Sequence, residues 1–148
     1  MNITQDVLFR FGNSTEKMEN WRVLIAESQP EFRQDMVKVL TAIPGLNLVA
    51  KVANGWDVMF TSAQLKPDII LLDFTLPGLS GPEVTSLIKR GLPQALVIIL
   101  LDGENEEDMK TVERCGAWAC LVKSHLAEEL PLLLGRLEQV KRENGNAN

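Results

Sequence analysis

Four ionisable residues stand where short apolar runs end. Glu27 follows Val23-Leu-Ile-Ala26, Asp73 follows Ile69-Ile-Leu-Leu72, Asp102 follows Ala95 to Leu101, and Lys123 follows Ala117 to Val122. A charge at the end of a buried run is costly unless something pairs with it or uses it. Grouped carboxylates could bind a hard cation such as Mg²⁺ through their oxygens. A carboxylate beside such a metal can attack phosphorus and form an aspartyl phosphate. The metal and an ammonium group would then offset the phosphoryl charge. Asp73 leads into Phe74-Thr-Leu-Pro-Gly-Leu-Ser-Gly81, where Leu76-Pro77-Gly78 reads as a tight turn holding such a site open. The plainer alternative is that Asp73 is an ion-paired loop residue, with Lys123 its partner.

The elements that must position these groups are legible. The apolar runs, with Leu46 to Ala53 as a fifth, are rich in Val, Ile and Leu without strict polar alternation. That suits central strands of a parallel sheet covered on both faces. Helical patterns lie between them. Phe32, Met36, Val39, Leu40 and Ile43 form the apolar face of the first, which Pro44-Gly45 ends. Gly55 to Leu65 is the second, Gly81 to Lys89 the third and Glu104 to Cys115 the fourth, with Gly116 as its C-cap. The last spans about Leu126 to Arg142, with Leu130, Leu133, Leu134, Leu137 and Val140 inward. Pro131 falls inside it, so a turn at Leu126 to Leu130 with a regular helix from Pro131, or a kink there, is expected. Five strands alternating with five helices give a (βα)5 α/β domain with an open, doubly wound sheet. Sites in such sheets form at the carboxyl ends of strands, where these charged residues stand.

Composition narrows the function. The chain has 148 residues and a formal net charge of −5, which suits one domain and argues against a general nucleic-acid or membrane-surface binder. No apolar run approaches membrane-helix length, and the N-terminus lacks the pattern of a signal peptide, so a cytoplasmic location is expected. Cys115 and Cys120 read as reduced thiols, and a lone His125 gives little material for a metal site or a triad. Residues 1–20 read as an extension of unknown order, 21–142 as the domain, and 143–148 as a disordered tail.

VLIAES (23–28), PDIILLDFTLPGLSG (67–81) and GAWACLVKS (116–124) together identify a family. The chain resembles the receiver domain of bacterial response regulators across about residues 21–142. The resemblance implies a flavodoxin-like fold with strand order 2-1-3-4-5. It makes Asp73 the phosphoacceptor, Glu27 and position 28 the acidic pair for Mg²⁺, with the Thr75 backbone carbonyl as a further ligand, and Lys123 the residue that contacts the phosphoryl group. It implies a histidine kinase or phosphotransfer protein as donor, an output protein as reader, and a homodimer through the face of the fourth helix, fifth strand and fifth helix, or another face.

Several positions depart from the family pattern. Ser28 replaces an acid and is a weak ligand for a hard dication. It also opens Ser28-Gln-Pro-Glu31, which fits a capping box for the first helix. Leu101 replaces a Thr or Ser and has no hydroxyl to offer a phosphoryl oxygen. Asp102 replaces a small residue; it reads as a loop acid, as the fourth helix's cap, or as a partner for Lys123 filling the phosphoryl space. Cys120 replaces an aromatic switch residue, and Trp118, two residues earlier, would share its face by strand periodicity. These departures favour a non-enzymatic pseudo-receiver acting through protein contacts, with Mg²⁺ weakened by Ser28. A conventional Mg²⁺-dependent phosphorylatable receiver is the alternative, and a small flavodoxin-like phosphatase is the alternative of another class.

Overall fold

The computed structural model describes residues 20–146, with side chains through Gln139. The expected N-terminal extension therefore lies outside the described residues, apart from Asn20, as do Ala147, Asn148 and the Val140 side chain. The strands are β1 (Trp21–Ala26), β2 (Leu46–Val52), β3 (Ile69–Asp73), β4 (Leu96–Leu101) and β5 (Ala119–Val122). The helices are α1 (Pro30–Thr41), α2 (Gly55–Leu65), α3 (Gly81–Gly91), α4 (Glu106–Cys115) and α5 (Leu126–Asn146). All strand pairs are parallel, and the sheet order is β2-β1-β3-β4-β5.

The sheet separates two cores, as the aliphatic strands require. Val23, Ile25, Ile69, Leu71, Ile98 and Leu100 point to one face, against α1 and α5. Leu24, Ala26, Ile70, Leu72, Val97 and Ile99 point to the other, against α2, α3 and α4. Every residue of β3 is buried, so each face gains about 2 kcal/mol from each large aliphatic side chain removed from water. This two-sided burial fixes the depth and register of β3 and carries its last residue, Asp73, to the carboxyl edge.

Five local expectations are corrected. Ser28 does not cap the first helix. Pro30 begins α1, so Gln29 is its N-cap, and no side chain closes it. The fourth helix is capped by Asn105, whose Oδ1 accepts from the amides of Glu107 (2.9 Å) and Asp108 (3.1 Å). Asp102 is therefore free of that duty. The expected turn at 126–130 is absent: α5 follows a 3-10 turn at Lys123–His125 and is helical from Leu126, with Pro131 inside. Leu126, Leu130, Leu134 and Leu137 are all buried on one stripe. Their burial offsets the roughly 3 kcal/mol an interior proline costs. The helix also continues to Asn146, four residues into the expected tail. Finally, Trp118 and Cys120 do not share a face. Trp118 lies in a bend before β5, where period-two alternation does not apply, and packs against the α1–α5 core. Cys120 packs against the opposite core.

Candidate functional site

Three strand ends bring their charged residues together at one point. Glu27 follows β1 and is held there by backbone: its amide donates to Val52 O (3.0 Å), and Arg33 Nη1 donates to its carbonyl (2.7 Å). Asp73 ends β3, and the ladder continues one step as the Phe74 amide donates to Leu100 O (2.9 Å). Lys123 follows β5 and reaches back across the edge. Its Nζ lies 3.2 Å from Asp73 Oδ1, 3.4 Å from Glu27 Oε1 and 3.2 Å from Asp102 Oδ1. The ammonium also stands 5.1 Å from the centroid of the Phe32 ring. One cation thus faces three carboxylates and an aromatic face.

The carboxylates differ in their surroundings. Glu27 is fully buried, and its Oε2 has no hydrogen-bond partner among the described residues. Asp73 is 4% exposed, and its Oδ1 also accepts from the Thr75 amide (3.3 Å). The Asp102 side chain is 79% exposed, so its pairing with Lys123 is screened and contributes under about 1 kcal/mol. Burial pushes the Glu27 carboxyl above its ordinary 4.5, and the Asp73 charge adds to this, while Lys123 pulls it down. Burial alone would lower Lys123, but Asp73 and then Glu27 outweigh it, so the ammonium is held above its ordinary 10.5.

These shifts fix signs. An acid raised in the folded state takes its proton in the native protein first. The Glu27 contribution to stability therefore grows as pH falls from the raised value toward 4.5. Urea unfolding across that range should show this rise in the wild type and its loss in Glu27→Gln; parallel pH profiles would contradict it. The Lys123 contribution has the same sign in a higher window, present below 10.5 and lost as pH rises through the raised value.

The Asp73 loop is built by close approach. A Cβ on Gly81 would stand 2.5 Å from Asp73 O, so only glycine lets α3 start directly behind the acid. The Gly81 amide donates to Phe74 O (2.9 Å), and Ser80 caps α3 through its hydroxyl. Gly78 has φ +83, the left-handed conformation glycine adopts freely. Beside the loop lies a cavity of about 310 Å³ lined by Phe74, Thr75, Leu101, Asp102, Asn105 and Asp108, among others. Leu101 is 2% exposed and packs into the core. Sequence reasoning missed Arg33 and Phe32, because neither the backbone carbonyl one holds nor the ammonium the other covers leaves a pattern in the chain.

The fit to Mg²⁺ is poor. Among the described residues no three His, Cys, Asp or Glu side chains are grouped to hold a metal ion. Ser28 is half-buried and offers a hydroxyl where a second acid would serve. Glu27 Oε1, Asp73 Oδ1 and Asp102 Oδ1 already face Lys123, which leaves Glu27 Oε2 as the buried oxygen without a partner.

Residues 23–134 match the family described as the response regulator receiver domain. The chain is 34% identical over 109 residues to the transcriptional regulatory protein YxjL of Bacillus subtilis, covering 74% of this chain and 50% of that protein. It is 26% identical over 108 residues to the nitrate/nitrite response regulator NarL of Escherichia coli, covering 73% and 50%. The chain thus spans about half the length of these relatives. A DNA-binding response regulator of the LuxR family from Staphylococcus aureus superposes with TM-score 0.74 at 25% identity, covering 80% of this chain and 98% of that one. The non-phosphorylated receiver domain of RcsB from E. coli shares the fold with TM-score 0.76 at 22% identity, covering 82% and 95%. With its five-stranded parallel sheet in the order 2-1-3-4-5 and a family match over most of its length, the chain belongs to the response regulator receiver domain family.

Proposed function

We propose that this receiver works as a protein-contact module whose acidic site is closed by its own cation, Lys123, and that it signals without a phosphoryl switch on Asp73. The observation that carries the reading is the Lys123 ammonium within 3.2–3.4 Å of three carboxylates, Asp102 among them. With all three ionised the site is net negative before any phosphoryl group arrives, and a phosphoryl group adds roughly −1.5 to −2. A conventional site needs a dication to bear that charge, and the donor set here is poor for one. Leu101 offers no hydroxyl, and Asp102 adds repulsion at the cavity mouth.

In this reading Asp73 and Lys123 are structural ion-pair partners, Glu27 and Thr75 are vestigial metal positions, and the chain has no catalytic turnover of its own. Its partners are proteins of a cytoplasmic two-component pathway, a kinase or phosphotransfer protein and an output protein. Contact with nucleic acid is not assigned to these residues. Calorimetric titration with Mg²⁺ tests the metal half of the reading. The wild type should show no saturable binding at millimolar concentration, and Ser28→Asp with Asp102→Ala should gain it. Saturable binding by the wild type would overturn this.

A further inference from the structure

The loop that carries Asp73 is tied to α2 as well as to α3. The Gly55 amide, at the start of α2, donates to Pro77 O (3.0 Å). The Gly55 Cα lies so close to Leu79 O and Cβ that an added Cβ would overlap them. A Cβ on Gly78 would stand 2.7 Å from Cδ1 of the Trp56 ring, so the indole rests on the bare glycine backbone. At the other end of the loop, one oxygen, Asp73 Oδ1, receives both the Thr75 amide and the Lys123 ammonium. Thr75 and Pro77 are two residues apart. The short backbone from Thr75 to Gly78 therefore joins the end held at Asp73 Oδ1 to the end held at Gly55 and Trp56.

On the other side the atoms needed for a relay are missing. Leu101, at the end of β4, is an apolar core residue. Cys120 on β5 faces the α2–α4 core, and Trp118 faces the other. Among the described residues no hydrogen bond links Asp73 to Trp118 or Cys120.

We propose that the state of the Asp73 carboxylate is relayed through loop 74–80 to the first turn of α2, so that the surface under its control is the Trp56 and Phe60 face. Both rings are largely exposed, at 61% and 68%, and they lie one helical turn apart. Releasing Asp73 Oδ1 from Lys123 or from the Thr75 amide loosens the loop, and the loop and α2 N-terminus move together because close packing leaves no slack between them. The relay is independent of whether Asp73 ever takes a phosphoryl group; any change of charge or pairing at that oxygen operates it.

The test is residue-resolved amide hydrogen exchange on the full chain, comparing wild type with Asp73→Ala and, as a milder variant, Asp73→Asn. The Gly55 amide should exchange about tenfold faster or more after correction for global stability, while Cys120 and Leu121 on β5 stay within about twofold. A double-mutant cycle adds an independent reading. Asp73→Ala and Trp56→Ala should be non-additive in the unfolding equilibrium by about twofold or more, and Asp73→Ala with Trp118→Ala should be additive. Unchanged protection at Gly55, or equal acceleration on β5, would overturn the relay, as would additivity of the Asp73 and Trp56 variants. If Asp73→Ala does not fold, Asp73→Asn carries both measurements.

Discussion

Lys123→Met is expected to destabilise the protein by about 3–5 kcal/mol at neutral pH, the cost of leaving buried charge without its partner. The variant keeps the length and apolar stem of lysine and the contact with Phe32, so packing loss is small. What it removes is the only cation within salt-bridge distance of Glu27 and Asp73 among the described residues. Both carboxylates are buried, and Glu27 Oε2 already lacks a partner. Combining Lys123→Met with Glu27→Gln should recover more than half the loss, because the most deeply buried charge is then gone. Urea unfolding of the three proteins decides the matter. A loss below about 1 kcal/mol would put Lys123 with ordinary surface ion pairs and remove its role as internal counter-ion.

The second large effect is a gain. Ser28→Asp, Leu101→Thr and Asp102→Ala together should raise the rate at which a small phosphodonor modifies Asp73 in Mg²⁺ by at least about tenfold, corresponding to about 1.4 kcal/mol of barrier. Each change acts on a separate part of the problem. An acid at position 28 adds a ligand for the dication, a hydroxyl at position 101 adds a donor, and loss of Asp102 removes a repelling charge and frees Lys123. The threonine carries a packing cost, since Leu101 is buried among β4 and α4 side chains. The triple variant is therefore expected to be less stable and more reactive. No change in rate would show that the departures at these three positions are neutral.

The features of the chain set by strong, local and repeated signals were legible before any coordinates. Runs rich in Val, Ile and Leu made the strands visible to within about two residues, and the position of Asp73 directly after one of them placed it at the sheet edge. The strand order came from family resemblance, because short parallel strands of similar composition do not encode their neighbours in sequence. Local rules failed where tertiary packing or a one-residue offset decided the outcome. Pro131 marks a helix break by propensity, yet four leucines on one stripe hold the helix through it. Ser28 fits a capping box, but the helix begins one residue later than that box requires. Trp118 fits strand alternation with Cys120, but it precedes the strand. At the site, the residue types were legible and their reach was not. That one lysine could meet three carboxylates depended on side-chain length and on the 3-10 turn that starts at Lys123.

The central claim is that the Lys123–Asp102 arrangement, with Leu101 and Ser28, leaves Asp73 without a working phosphoryl site. Its most direct test is the intact mass of the wild-type protein after incubation with acetyl phosphate and Mg²⁺. The account predicts an unchanged mass under conditions in which the triple variant gains one phosphoryl group. A one-phosphoryl gain by the wild type that disappears in Asp73→Asn would contradict it and make this chain a conventional phosphorylated receiver.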